Sequence, residues 1–176
     1  MHVDTAEADD IIGVLINTLA EDDNLPPTLI LSSDKDFIQL QKHKEVKQWS
    51  PLQKKFIVGD AAESLYDKTI RGDTGDGVPN ILSSDDTLIT EGKRQTPVTK
   101  KKMEMWRGQK PEEFCNEAML RNYHRNKTMV DLDETPDSIR INIVNQYKNQ
   151  EAGNRSQLLN YFVDNRLKNL MEVIDE

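Results

Sequence analysis

The sequence predicts an α/β portion followed by a mainly α-helical one, and three observations predict it. Thr28–Ser32 (TLILS) is a short apolar run with β character that follows a helical stretch, as a buried strand of a parallel sheet would. Val46–Trp49 and Lys54–Val58 read as two further short strands around Ser50-Pro51, which suggests a hairpin. Beyond residue 60 the segments are helical in pattern almost throughout. The division falls at residues 1–60 and 61–176.

The first helix is expected over Thr5–Ala20, where Ile11, Leu15 and Leu19 recur at i, i+4 and Ile12, Val14 and Ile16 widen the stripe. Asp4 or Thr5 could cap it. Pro26-Pro27 punctuates before the strand. Ser33–Asp36 then turns into a short helical stretch, Phe37–Leu40. A helix over Ala61–Ile70 runs into a loop, Arg71–Asn80 (RGDTGDGVPN), and Ser83–Thr96 is polar without a clear pattern. Helices are expected over Val98–Trp106, Glu112–Lys127, Ser138–Tyr147 and Ser156–Val173.

Net charge is −8, which taken alone argues against nucleic-acid binding, because phosphates select Lys and Arg. The placement of charge matters more, since acid clusters that bind divalent metal are locally neutralised by it. Cys115 is the single cysteine, so an intrachain disulfide and a Cys-based zinc site are both excluded, and a reducing compartment fits. No apolar run is long enough to span a membrane, and a cytoplasmic protein is expected.

Three acidic clusters stand out: Glu7, Asp9 and Asp10 at the start of a helix, Asp34 and Asp36 just beyond a strand, and Asp73 and Asp76 in the glycine-rich loop. Each has a plain structural explanation, in helix capping or in turn chemistry. Together they also suit magnesium, which takes a few carboxylates plus water. Phosphodiester hydrolysis profits from two such ions about 3.5–4 Å apart, held by acids from several segments. Asp34 and Asp36 lie where open α/β sheets gather ligands, and Glu7 and Asp10 share one helical face.

In the loop, Gly72, Gly75 and Gly77 permit backbone conformations closed to other residues and let a phosphate approach main-chain N–H groups. Such a loop between two helices could grip a DNA backbone without reading bases. An ordinary inter-helix turn is the plain alternative. A calcium loop is a poorer one, because no glutamate stands where its twelfth position requires it.

The motifs E-A-D-D (Glu7–Asp10), S-S-D-K-D-F (Ser32–Phe37), V-K-Q-W-S-P (Val46–Pro51) and G-D-T-G-D-G-V-P-N (Gly72–Asn80) occur in this order. In combination they resemble the second half of the nuclease domain of the 5′ nuclease (flap endonuclease-like) family, and within it the ribonucleases H of T-even-type bacteriophages. The resemblance implies the C-terminal part of a PIN/resolvase-like sheet, then a helical region with a helix-turn-helix loop at 71–80. It implies a 5′→3′ exonuclease and flap endonuclease that removes RNA primers from lagging-strand fragments, acting on DNA and RNA–DNA duplexes with 5′ ends or flaps. Glu7, Asp9, Asp10, Asp34, Asp36, Asp73 and Asp76 would belong to a two-magnesium site, with manganese as a substitute. The five acids up to Asp36 would be the catalytic set.

On the same resemblance, Gly72, Gly75, Gly77 and Val78 would hold duplex DNA, often with a monovalent ion such as potassium. Gly77 stands where the family commonly has Asn. The family's N-terminal half, with its first strands, further aspartates and a basic helical arch, would lie outside this chain. The expectation is therefore weak activity for the chain alone, or a DNA-binding module that needs a separate N-terminal half. A replication partner such as a single-strand-binding protein or a clamp would suit the C-terminal region, though no residue points to either.

Lys100, Lys101 and Lys102, with Lys93 and Arg94, are candidates for a phosphate-tracking patch. Trp49 and Trp106 are expected to pack rather than stack on bases, as are Tyr123, Tyr147, Tyr161 and Phe162. His2, His43 and His124 have no companions at ligand spacing.

Overall fold

The computed structural model describes residues 1–150 and 157–171. Helix α1 spans Ala8–Glu21. It starts three residues later than expected because Glu7, not Asp4 or Thr5, is the N-cap, and the Glu7 amide donates to Asp10 Oδ2 (3.0 Å). Asp9 and Asp10 lie in the first turn, where they complement the helix dipole.

Strand β1 (Thr28–Leu31) pairs in parallel with β2 (Val46–Ser50), Thr28 opposite Val46 and Leu31 opposite Trp49. Strand β3 (Lys55–Ile57) returns antiparallel to β2 as the expected hairpin. Trp49 and Phe56 face each other across it, edge to face at 4.9 Å. The order is β1-β2-β3, so β1 is an edge. The expectation that β1 is buried fails for half its residues. Ile30 is 6% exposed, but Leu29 and Leu31 are 53% and 66% exposed. Alternate residues face opposite sides of a strand, and only the Ile30 side is covered.

That covered side meets α1 and the 3-10 turn Asp36–Lys42 in a core of Ile16, Ile30, Phe37, Leu40 and Val46. Gln39 ties this core to the helical region. Its Nε2 donates to the Val130 carbonyl (2.7 Å), and its Oε1 accepts from the Leu132 amide (3.3 Å).

Helix α2 (Ala61–Arg71) is capped by Asp60, which accepts from the Glu63 amide (2.8 Å). The next α-helix does not follow the glycine-rich loop directly. A one-turn 3-10 segment at Asp85–Leu88 intervenes before α3 (Lys100–Trp106). The single helix expected over Glu112–Lys127 is two, α4 (Pro111–Phe114) and α5 (Glu117–Val130). Asn116 breaks it by turning its side chain onto the Met119 amide (2.9 Å), the N-cap of a new helix.

Helix α6 spans Asp137–Asn149. The helix expected over Ser156–Val173 lies partly outside the described residues. Inside them it is α7 (Leu158–Asp164) and α8 (Lys168–Met171), parted where Arg166 takes φ 56°.

Ile70, Ile81, Met103 and Trp106 form a second core, with Trp106 stacked on Phe114 at 5.1 Å and Tyr66 and Tyr123 packed against it. Val3, Val14 and Ile143 join α1 to α6. Tyr147 and Tyr161 are exposed, contrary to the packing expected of them, because among the described residues nothing covers the faces of α6 and α7 that carry them. Among the described residues no helix is long and apolar enough to cross a membrane.

Candidate metal and nucleic-acid site

The turn after β1 is built by short polar bonds. The Asp34 amide donates to Ser32 Oγ (3.1 Å), and the Asp36 amide donates to Asp34 Oδ1 (3.0 Å). Gln48, buried on β2, pins the turn from below by donating to the carbonyls of Ser32 (3.0 Å) and Asp34. These contacts aim two carboxylates off the end of the strand, one exposed and one half-buried.

Asp36 sits at the centre of the acids. Oxygens of Asp9, Asp34 and Asp36 lie within 4.8 Å of one another, and so do oxygens of Asp36, Asp73 and Asp76. Five of the seven predicted acids, from three distant segments, thus converge on one place. Glu7 and Asp10 belong to neither group. Asp10 instead caps α1, and its other oxygen accepts from Thr135 Oγ1 (3.2 Å).

Lys68 on α2 enters the same place. Its ammonium pairs with Asp36 Oδ1 and with Asp73 Oδ2 (2.7 Å). Asp36 Oδ1 is buried and has that ion-pair partner but no hydrogen bond of good geometry. The Lys68 bond and charge hold the Asp73 carboxyl below its ordinary range, helped by the Gly75 and Asp76 amides. Asp9 moves the other way. Burial raises its pKa most, the charges of Asp34, Asp10 and Asp76 add to that, and a backbone hydrogen bond offsets part. One ammonium therefore leaves the cluster short of positive charge.

The glycine-rich loop closes on itself. The Val78 amide donates to the Asp73 carbonyl (2.7 Å) and the Gly75 amide to Asp73 Oδ1 (2.9 Å). Gly72 has φ 70°, and a Cβ there would lie 2.2 Å from the Val78 carbonyl oxygen, so only glycine fits. Gly77 has φ 75° but open space around it. Val78 is buried, so its side chain is not offered to a ligand. Helix α5 fixes the far end of the loop. Asn126, fully buried, donates to the Thr69 and Pro79 carbonyls (both 2.9 Å), and Arg125 also donates to Pro79 (2.8 Å).

Lys100, Lys101 and Lys102 open α3 but do not form one patch. Lys100 lines a cleft with Glu63, Asp67 and Arg71, whereas Lys102 lines a separate cavity with Lys93, Arg94 and Arg121. Lys68, Gln48, Arg125 and Asn126 are the contributors that reading the sequence missed. The one available signal was Asn122 and Asn126 at i, i+4 on an otherwise ordinary helix.

Residues 59–176 match the family described as T4 RNase H, C terminal. The chain is 33% identical to ribonuclease H of Enterobacteria phage T4 over 183 residues. That alignment covers 100% of this chain and 59% of the phage protein, so the chain spans about three-fifths of its relative's length.

Proposed function

We infer the function from one premise, that this chain belongs to the T4 RNase H C-terminal family, a nuclease family. The proposed activity is that of a magnesium-dependent 5′→3′ exonuclease and flap endonuclease. It would act on DNA and RNA–DNA duplexes with 5′ ends or flaps, including RNA primers on lagging-strand fragments. The observation that carries this reading is the sharing of Asp36 between two carboxylate groups drawn from α1, the β1 turn and the glycine-rich loop.

The donor set fits magnesium. All five groups are carboxylates, and the buried Asp36 Oδ1 has only the Lys68 ammonium beside it, a cation that a metal ion could replace. Asp9, Asp34 and Asp36 would hold one ion, and Asp36, Asp73 and Asp76 the other. Bound there, magnesium would stabilise the charge that builds on a phosphodiester during hydrolysis. The chain's own residues set the conditions. Gln48 and Ser32 orient the Asp34–Asp36 turn, and Lys68 balances part of the negative charge before an ion arrives. Gly72–Asn80, held rigid by α5, would offer main-chain groups to a phosphate backbone.

A second reading is a DNA-binding module that becomes catalytic only with a further α/β portion. The outer edge of β1, unpaired among the described residues, and the exposed Leu29 and Leu31 favour it.

Calorimetric titration with magnesium tests the site. Asp36→Asn should weaken binding at least tenfold, and Asp10→Asn should change it little. Unaltered affinity in Asp36→Asn would remove the assignment. Cleavage of a 5′-flap substrate by the purified chain separates the two readings: cleavage favours the first, and binding without cleavage the second.

A further inference from the structure

We propose that the cavity between the Ile81–Thr96 segment, α3 and the start of α5 is a second phosphate-backbone subsite, one that holds the duplex arm of a nucleic acid away from the acids. The cavity has a volume of about 570 Å³ and is lined by Lys93, Arg94, Lys102 and Arg121, with no carboxylate in its wall. In a chain of net charge −8 this local surplus is unusual.

The two acids that pair with the cations here do not cancel it. Asp85 pairs with both Arg121 (2.6 Å) and Arg125, and Asp86 pairs with Lys93 (2.5 Å). Five cations thus meet two carboxylates. Arg94 and Lys102 have no ion-pair partner among the described residues.

The lining suits a sugar–phosphate backbone better than a base. No aromatic side chain lines the cavity, so stacking is not on offer. Ser84 and Asn122 supply polar groups, and Leu82 and Met119 an apolar floor for sugars.

The cavity is also continuous with the glycine-rich loop. Asn80, the last residue of that loop, accepts from the Leu82 amide (3.0 Å) and Ser83 Oγ (2.9 Å) and donates to the Thr96 carbonyl (2.9 Å). Asn122 donates to the Ile81 and Ser83 carbonyls (both 3.0 Å). A strand gripped at Gly72–Asn80 therefore passes onto a wall rigidly joined to the grip. The inference rests on the nucleic-acid reading above, but not on the metal site.

The test is fluorescence anisotropy with a 5′-flap duplex in the presence of a chelator, so that neither cleavage nor metal occupancy enters. Arg94→Ala/Lys102→Ala should bind roughly tenfold more weakly, and the slope of log affinity against log salt should fall by about 1.8, two phosphate contacts' worth. Lys44→Ala/Lys47→Ala removes the same charge from the hairpin and should move neither quantity as far. Equal effects in the two variants, or no effect in the first, overturn the proposal. Inorganic phosphate alone is the second arm. If it raises the melting temperature of the wild type as much as the duplex does, the cavity holds a free anion and the backbone assignment fails. Should the double variant not fold, Arg94→Gln, at an exposed loop position, is read instead, with an expected fall in slope of about 0.9 for its one contact and no change overturning the proposal.

Discussion

Replacing Lys68 by Met asks whether its ammonium stands in for a divalent ion. The side chains of Lys68, Asp36 and Asp73 are only 19%, 13% and 25% exposed. Stripping one partner from a fully buried pair costs about 3–5 kcal/mol. Here residual solvent contact and protonation of an orphaned acid both limit the loss, which leaves about 2 kcal/mol, or a fall of about 4–8 °C in Tm for a chain of this size. In saturating magnesium most of that fall should vanish, because the ion takes over the two carboxylates. Linkage then requires magnesium to bind Lys68→Met more tightly than wild type, by roughly tenfold or more. Differential scanning calorimetry with chelator and with magnesium, beside a calorimetric titration, measures both sides. An equal loss of Tm in the two conditions would refute the reasoning, since Lys68 would then be a structural ion pair that no cation replaces.

Other outcomes follow from the same geometry. Gly72→Ala should cost more than about 4 kcal/mol or prevent folding, because its Cβ meets the Val78 carbonyl, whereas Gly77→Ala should cost about 1 kcal/mol. Comparable losses in urea denaturation would contradict this. Asn126→Leu should cost about 1–3 kcal/mol, since it removes the side-chain donor of the Thr69 carbonyl and leaves Pro79 only its Arg125 contact, and a near-neutral result would show that water reaches Thr69. For Asp133, burial pushes its pKa up, but the Lys42 bond and charge, the Asn17 bond and Arg140 outweigh it, so the pKa is lowered from 3.8. A depressed folded pKa stabilises above the unfolded value, so that contribution should be intact above pH 3.8 and fade as pH falls below it. Asp133→Asn should flatten the acid limb of the stability curve in that window, and an unchanged limb would count against it.

Much of the α/β portion was legible because its signals are local. The i, i+4 stripe of α1, the short β run and the Ser50-Pro51 hairpin each declare themselves within a few residues. Failures arose where a side chain acts at a distance. Lys68 reads as the solvent face of an amphipathic helix until the fold carries it to Asp36. Asn126 looks like a surface residue until α5 packs on α2. Asn116 splits a helix with a cap too brief to outweigh the helical formers around it. Of the acids, Asp10 was grouped with Asp9 by proximity in the sequence, but neighbours in a helix point about 100° apart, and only Asp9 turns toward the cluster. The exposure of Leu29 and Leu31 could not be read from the strand itself, since it depends on which neighbours the sheet has.

The anchoring of Pro79 by Asn126 and Arg125 bears on the backbone grip proposed for this loop. With the Pro79 carbonyl tethered to a helix and the Val78 amide closed on Asp73, the C-terminal end of the Gly72–Asn80 loop is fixed in place. A fixed end needs little reorganisation, so a loop that engages a phosphate backbone as proposed would reject whatever curvature does not match its own. The hydrogen-bonded Gly72, Val78 and Asn80 amides should accordingly be among the slower exchangers in deuterium labelling, whereas the exposed Thr74–Gly77 amides between them should exchange fast.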